Sequence, residues 1–414
     1  MAKKTAPTGA RPKLTDILLN KMQKNKLFGS DAISTSGGYG DITGYLDTGI
    51  YAINFAIGHE GIPKGRLTSL QGAEQAGKTS TITTILAAAQ ARGSLCVYID
   101  AEYKFDRKYA ARLGLFDGET LPAAIAAGRA NENTLPLMII YPEHIQLVFQ
   151  QIDLLIESIR EEDPDVEVLF AWDSVAATPS TAEFEANYDS MAPGSPARQM
   201  SAGLKKLSFT LAREQVTMLI VNQEKESIGM MGQGSKVAVI AQRPIAFHST
   251  VRIEVKKWGF VAGPGEDGKR EENSIGIKVA AKVAKNQCGP FGRVARYSLI
   301  TVGRDVGVDN SGWILDYAID LVKPGIVVKS GAYYNLRGSQ EKFYRKDFTK
   351  SADCAEICRQ VFASIDEEIA KRFGTWDKDD KAEAEEDEDR PENTAEYKGR
   401  MTDEELAAWE KDNE

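Results

Sequence analysis

The chain has 414 residues, of which 42% are hydrophobic and 27% charged, a composition typical of a folded globular protein. That length is enough for one large core and one or two smaller pieces. No apolar run reaches the length of a transmembrane helix, and the first residues lack the apolar segment of a secretory signal. The four cysteines and three histidines are too few and too scattered for a disulfide framework or a zinc site. We therefore expect a cytoplasmic protein with no membrane partner.

The formal net charge of −9 is unevenly distributed along the chain. Residues 377–414 hold 17 acidic and 6 basic side chains, a net charge of −11, so the preceding 376 residues carry a net charge of +2. This composition predicts an acidic, disordered tail. Residues 1–43 form a basic leader, in which Thr15 is expected to cap a short helix with Leu18 and Met22 on one face. Such a helix has little core of its own, so it packs either on the main domain or on a neighbouring molecule.

The most informative stretch runs from Gly72 to Thr79 and matches the phosphate-binding loop pattern: two glycines separated by four residues, then Lys and Thr. A short apolar strand precedes it and a helix without Pro or Gly follows it, which is the context that this loop requires. The glycines let backbone amides turn toward a triphosphate at a helix N-terminus. Lys78 is predicted to reach the β- and γ-phosphates of ATP, and the Thr79 hydroxyl to hold Mg²⁺. The predicted loop contacts to the nucleotide are Gly72, Ala73, Glu74, Gln75, Ala76, Gly77, Lys78, Thr79 and Ser80.

Predicted strands and helices alternate between residues 44 and 311, which indicates an α/β core with a largely parallel central sheet. The last segments of this region are β-branched and alternate in polarity, so they indicate an extension of the sheet rather than further β-α-β units. Residues 312–376 are predicted to form a small C-terminal α/β domain. The predicted strands are 95–100, 137–141, 168–173, 218–223, 251–256, 277–284 and 295–300, and the main helices are 144–160 and 198–214.

Two acidic positions at predicted strand ends extend the ATPase pattern. Asp173 ends an apolar strand, where a carboxylate beside the phosphate loop holds Mg²⁺. Glu102 follows the strand that ends at Asp100, and we interpret Glu102 as the base for the attacking water and Asp100 as structural. The alternative is a set of surface acids at strand ends. Their position in the same alternating pattern as the phosphate loop favours catalysis.

Taken in order, these motifs resemble the RecA recombinase family over roughly residues 45–336, the bulk of the chain. Replicative helicases share the core but are a poorer match around residues 100–109 and the second long loop. The resemblance implies a RecA-like P-loop ATPase fold. The matching motifs are Thr48-Gly49, Pro63-x-Gly65-Arg66, the phosphate loop, Asp100-Ala101-Glu102 with Asp106 and Tyr109, Asp173-Ser174-Val175-Ala176-Ala177, Asn222-Gln223, Lys285-Asn286 and Pro290-Phe291.

The resemblance also implies a role for each matching residue. Glu102 is expected to be the catalytic glutamate, and Gln223 to sense the γ-phosphate and pass that signal into a DNA-binding loop. Asp106 and Tyr109 are expected to contact adenine, with Tyr109 stacked on the base. Lys285 resembles a lysine that reaches the ATP of the adjacent protomer, as an arginine finger does. The expected catalytic residues are therefore Lys78, Glu102, Gln223 and Lys285.

Two long loops, at about residues 183–196 and 224–244, correspond to the family's single-strand DNA loops. Apolar residues in the glycine-rich second loop are expected to wedge between base triplets, unless they fold into the core. Basic residues are expected to contact phosphates without reading sequence, although a solvated helix face explains the spacing of Arg198 and Lys205 equally well. The predicted DNA contacts are Arg198, Lys205, Lys225, Ile228, Gly229, Met230 and Lys236.

Three features depart from the family pattern. Ala241 and Gln242 stand where family members often carry an adjacent glycine pair, and Gln287 replaces the lysine expected two positions after Lys285. The first loop contains two prolines. These departures indicate a divergent, phage-type member similar to UvsX.

These features predict an ATP-dependent recombinase with ATP and Mg²⁺ as cofactors. It would polymerise on single-stranded DNA as a helical filament, pair that strand with homologous duplex DNA and exchange strands in recombination and repair. Single-strand-binding and mediator proteins are expected as further partners. Two alternatives stay open: a hexameric helicase or other ring motor with the same core, and a recombination mediator that binds nucleotide without turning it over.

Overall fold

The computed structural model describes residues 18, 21, 22, 24, 38, 40–186, 195–227, 236–239, 241–264, 270–303, 306–320 and 325–373. The chain divides into two units, residues 1–43 and 44–414. In the first unit, the described positions Leu18, Lys21 and Met22 are helical. The acidic segment 377–414 lies outside the described residues.

Strands and helices alternate through most of the second unit. The strands are β1 (Tyr45–Leu46), β2 (Ile62–Pro63), β3 (Leu67–Gly72), β4 (Leu95–Asp100), β5 (Met138–Ile140), β6 (Val168–Asp173), β7 (Thr217–Ser227), β8 (Lys236–Val239), β9 (Val251–Pro264), β10 (Arg270–Asn286), β11 (Val294–Ile300), β12 (Gly307–Val308), β13 (Val327–Ser330), β14 (Tyr333–Leu336) and β15 (Phe343–Tyr344). The helices are α1 (Tyr51–Ile57), α2 (Lys78–Ala91), α3 (Arg107–Leu113), α4 (Leu121–Ala126), α5 (Ile145–Glu162), α6 (Thr181–Glu185), α7 (Ser195–Arg213), α8 (Gln242–His248), α9 (Asn310–Asp320) and α10 (Cys354–Phe373).

A ten-stranded sheet forms the centre of this unit, in the order β12-β11-β10-β9-β3-β7-β6-β4-β5 with β8 added on β7. The strands from β9 to β5 pair in parallel, whereas β10, β11 and β12 continue the sheet in antiparallel pairs. The predicted α/β fold, with a largely parallel sheet and an extension beyond it, is confirmed.

Apolar side chains cover both faces of the parallel strands. On one face, Ile82, Ile85 and Leu86 of α2 are fully buried. On the other face, Ile152 of α5 and Leu204 of α7 pack in a second buried cluster. Because both faces are covered, strands such as β6 are buried along their whole length and are apolar rather than alternating. Each such buried aliphatic side chain contributes about 1.5–3 kcal/mol to folding.

The carboxyl ends of β3, β4 and β6 meet at one edge of the sheet, where β7 continues past its neighbours. Gly72 at the end of β3 pairs with Gln223 on β7, and Asp100 at the end of β4 pairs with Asp173 at the end of β6. This edge is where ligands bind in open parallel sheets, because the loops that follow the strands converge there. The fold therefore places the phosphate loop, both strand-end acids and Gln223 side by side.

The region predicted as the second long loop is partly strand. β7 continues to Ser227, and β8 pairs with it in antiparallel register from Glu224 with Val239 to Ser227 with Lys236. The predicted loop at about residues 224–244 is therefore wrong at both ends. At its start, the polar run 224–227 is strand because backbone hydrogen bonds of a ladder do not require apolar side chains. Residues 187–194 and 228–235, which contain much of both predicted DNA loops, lie outside the described residues.

A smaller apolar cluster lies in the C-terminal part of the chain. Leu315 and Tyr317 of α9 pack with Ile357 and Val361 of α10 and with the three-stranded sheet β13-β14-β15. Phe55 of α1 meets the Tyr317 ring edge-on at 5.2 Å between centroids. This cluster therefore contacts the large core through α1.

Candidate nucleotide-binding and catalytic site

The phosphate loop joins the end of β3 to the start of α2. A Cβ atom at Gly72 would lie 2.1 Å from the carbonyl oxygen of Val255, so only glycine fits there. Gly77 has φ +93°, a left-handed conformation that favours glycine, and its position before α2 supplies no side-chain cap. The first-turn amides of α2 are consequently available to an anion, and the helix dipole favours negative charge at this end.

Lys78 is the first residue of α2 and is only 6% exposed. Its Nζ donates hydrogen bonds to the carbonyl oxygens of Gly72 at 2.8 Å and Ala73 at 2.6 Å. Burial lowers the pKa of Lys78, and nearby carboxylates, of which Asp173 and Glu224 have the largest effect, oppose that shift. The loop thus holds a buried ammonium group against its own backbone, next to the helix end where phosphates bind.

Thr79 and Asp173 form a direct contact across the sheet edge. The Thr79 hydroxyl donates to Oδ2 of Asp173 at 2.7 Å. Asp173 is 4% exposed, and burial raises the pKa of its carboxyl while hydrogen bonds from Thr79 and Tyr98 counteract that shift. Mg²⁺ is usually bound through one or two carboxylates together with substrate phosphates, so this set of oxygen ligands fits the predicted metal.

Glu102 is held by two donors on one carboxylate oxygen. Gln223 Nε2 donates to Oε1 at 2.5 Å, and the Ser174 hydroxyl donates to the same oxygen at 2.8 Å. The second oxygen, Oε2, lies 3.5 Å from the ammonium group of the largely exposed Lys104. The structure therefore brings Glu102 and Gln223 into contact. The carboxylate is oriented beside the phosphate loop, as a general base requires.

Asp106 and Tyr109 lie beside the phosphate loop on α3. The Asp106 carboxylate caps α3 by accepting a hydrogen bond from the Tyr109 backbone amide at 2.9 Å. The Tyr109 hydroxyl lies 3.1 Å from the Ser80 hydroxyl on α2. Asp100 accepts hydrogen bonds from the backbone amide of Phe105 at 2.9 Å and so shapes the turn that leads into α3. The predicted adenine contacts are thus adjacent to the predicted phosphate contacts.

Lys285 lies apart from this cluster. Its Nζ donates to the carbonyl oxygens of Ala246 at 2.9 Å and Phe247 at 3.1 Å, near the end of α8. Burial, and then the charge of Arg252, lower its pKa. Phe247 itself is 77% exposed. The structure does not bring Lys285 to the phosphate loop of its own chain.

The predicted DNA contacts are only partly described. Arg198 and Lys205 are exposed on α7, whose Leu204 is buried. Lys225 and Lys236 lie on β7 and β8. The remaining three contacts, Ile228, Gly229 and Met230, fall outside the described residues.

Sequence reasoning missed Tyr98, Ser174 and Lys104. The Tyr98 hydroxyl donates to Oδ2 of Asp173 at 2.8 Å, and the other two side chains contact Glu102. A tyrosine in the middle of an otherwise apolar buried strand is a usable signal, because a buried hydroxyl needs a partner. Ser174 lies within a motif that matches the family but was given no role, and Lys104, two residues after Glu102, carries no distinguishing pattern.

Comparisons with known proteins point to one family. The family model of the RecA N-terminal domain matches residues 15–304. The chain is 29% identical over 350 residues to the RecA protein of Chlamydia pneumoniae, covering 83% of this chain and 87% of that protein. It is 33% identical over 314 residues to the RecA protein of Chlamydia felis, covering 75% and 79%. With the RecA protein of Nautilia profundicola it shares 29% identity over 340 residues, covering 81% and 87%.

Within the part of the chain that the structure describes, no helix is long and apolar enough to cross a membrane.

Proposed function

This chain belongs to the RecA family, and we propose that it is a DNA-dependent ATPase whose hydrolysis is coupled to strand exchange. As a recombinase it would assemble into helical filaments on single-stranded DNA, pair that strand with homologous duplex DNA and act in recombination and repair. Single-strand-binding and mediator proteins would act with it in a reducing cytoplasm. Its four cysteines are free, in keeping with that compartment.

The proposal rests on the arrangement of two acids beside each other. Glu102 accepts hydrogen bonds from Gln223 and Ser174, which orient its carboxylate. Asp173 accepts a hydrogen bond from Thr79, and these two residues present oxygen ligands to a metal. A phosphate loop needs both for hydrolysis, whereas a nucleotide-binding regulator needs no oriented base. A mediator without turnover is therefore disfavoured.

The chain's own residues suggest how hydrolysis proceeds. Lys78 would leave the carbonyl oxygens of Gly72 and Ala73 for the β- and γ-phosphates. Glu102 would take a proton from the attacking water at its carboxylate. Mg²⁺, bound by Thr79 and Asp173, would neutralise charge on the phosphates.

Gln223 is suited to report the state of the nucleotide. It contacts Glu102 and lies four residues before the end of β7, from which the predicted second DNA loop continues. Loss of the γ-phosphate would shift this amide, and the strand would carry the change toward DNA. Arg198, Lys205, Lys225 and Lys236 would contact phosphates, and Ile228 would separate bases.

The test is ATP turnover with and without single-stranded DNA, with electron microscopy of the same samples. We expect DNA-stimulated hydrolysis and helical filaments. Closed rings with stimulated hydrolysis would instead identify a ring motor. Absence of both stimulation and filaments would leave a nucleotide-binding mediator.

A substitution sharpens this test. Glu102→Gln keeps the shape of the side chain but removes the base, so turnover should fall by about 10²- to 10⁴-fold while filaments persist. Glu157→Gln, an exposed carboxylate on α5, serves as the control and should leave turnover unchanged. Turnover that survives Glu102→Gln would assign the base to another residue.

A further inference from the structure

We propose that Tyr98 is a positioning residue for the magnesium-binding carboxylate, through the hydrogen bond from its hydroxyl to Asp173. The inference rests on the proposed function, because it concerns how the same site holds its metal. It adds a residue that touches neither nucleotide nor metal but fixes a group that does.

The geometry is specific to one carboxylate oxygen. Tyr98 on β4 and Thr79 on α2 both donate to Oδ2 of Asp173, at 2.8 and 2.7 Å. Over the described residues, Oδ1 accepts no hydrogen bond. The carboxylate is thereby fixed by one oxygen, and the other oxygen is left for the metal or its water.

The surroundings make this contact hard to replace. Tyr98 is 2% exposed and Asp173 is 4% exposed, so water cannot easily substitute for a missing donor. In the parallel pairing of β4 with β6, Tyr98 lies opposite Ala171, two residues before Asp173. The small side chain at that place is compatible with the phenol reaching along β6 to the carboxylate at its end.

The ring of Tyr98 serves a different contact from its hydroxyl. Phe105 packs on it with 4.7 Å between centroids. Phe105 immediately precedes Asp106, one of the predicted adenine contacts. The hydroxyl therefore belongs to the metal end of the nucleotide site and the ring to the base end, so the two can be separated by substitution.

Tyr98→Phe removes the hydroxyl alone, and the measured quantity is the equilibrium affinity for a fluorescent, non-hydrolysable ATP analogue. The affinity is measured once in Mg²⁺ and once in EDTA. The ratio of these two affinities gives the contribution of the metal to binding. Removing an outer partner of a metal ligand typically costs about 10- to 100-fold in metal affinity, so the ratio should fall by that factor. The affinity in EDTA should stay unchanged.

Tyr297→Phe is the matched control. Tyr297 is also buried, and its hydroxyl lies 2.8 Å from the Thr81 hydroxyl on the same helix as Thr79. The Tyr297→Phe variant loses a buried hydrogen bond that involves no predicted metal ligand. Its ratio of affinities in Mg²⁺ and EDTA should therefore match that of the wild type.

Two results would overturn the inference. An unchanged ratio in Tyr98→Phe, whether both affinities keep their values or both fall by the same factor, would show that the hydroxyl does not act through the metal. Phe105→Leu keeps the hydroxyl but reduces the ring contact, and a collapse of the ratio there would assign the effect to packing. A wild-type protein whose affinity ignores Mg²⁺ would instead contradict the proposed function itself.

Discussion

The two lysines predicted to reach ATP occupy very different surroundings. Lys78 is buried at the edge where β3, β4 and β6 end, and Asp173 and Glu224 are the carboxylates with the largest effect on its pKa. Lys285 is partly exposed near α8, and the charged group with the largest effect on it is Arg252. Both ammonium groups donate to two backbone carbonyl oxygens. The first site is assembled within one chain. Among the described residues Lys285 has no acidic partner, and we propose that the adjacent protomer completes the second site.

The largest expected effect is at Lys78. Lys78→Ala removes a charged donor to phosphate worth about 2–3 kcal/mol, so the affinity for ATP should fall about a hundredfold even in a dilute protomer. Equilibrium titration with a fluorescent ATP analogue measures this loss. Lys64→Ala, which breaks only a surface ion pair with Glu167, is the control and should bind normally. Normal ATP binding by Lys78→Ala would show that the phosphate loop does not bind ATP through Lys78.

A smaller and conditional effect is expected at Lys285. Because we propose that it acts on the ATP of the adjacent protomer, Lys285→Ala should leave the affinity of a dilute protomer unchanged. Its DNA-stimulated turnover should fall at least about tenfold, less than the loss typical of an arginine finger. Lys278→Ala, on the same strand, is the control. A loss of affinity in the dilute Lys285→Ala protomer would place this lysine in its own chain's site.

The smallest effect concerns pH. Burial, followed by Arg252, lowers the pKa of Lys285, so this lysine loses its proton at a lower pH than an exposed lysine. His248 and Lys205 are the other titratable groups nearby. Arginine stays protonated, so Lys285→Arg should retain about two- to threefold more of its neutral-pH turnover at alkaline pH than the wild type.

Lys78 has a lowered pKa in both proteins, so its effect cancels in that comparison. The measurement is the pH profile of DNA-stimulated turnover, each profile scaled to its own value at neutral pH. Superimposable alkaline limbs would show that the charge of Lys285 does not limit turnover.

Some elements could be predicted from the local sequence, and others could not. β4 and β6 have the predicted bounds, because each is an apolar run that ends at an acid. β8 was missed, because it is only four residues long and lies in a glycine-rich stretch that is typical of a loop. Local composition determines the first kind of element, whereas the second depends on pairing with β7.

Within the site, the phosphate loop and its neighbouring acids are local patterns, so they could be named directly. Tyr98 stands out in its apolar strand, but its partner Asp173 could not be named, because their contact arises from the pairing of β4 with β6. Lys285 was found only through family resemblance. Its proposed role depends on a second copy of the chain, and no pattern within one chain records that partner.

The most direct test of a site shared between protomers is a mixing experiment. On single-stranded DNA, Glu102→Gln alone should be nearly inactive, and Lys285→Ala alone should be at least about tenfold less active than the wild type. In a 1:1 mixture about a quarter of the interfaces would join an intact Glu102 to a neighbour's intact Lys285, if the two variants assemble at random. Turnover should therefore rise well above the sum of the two separate proteins. A mixture no more active than that sum would contradict a site completed by the adjacent protomer.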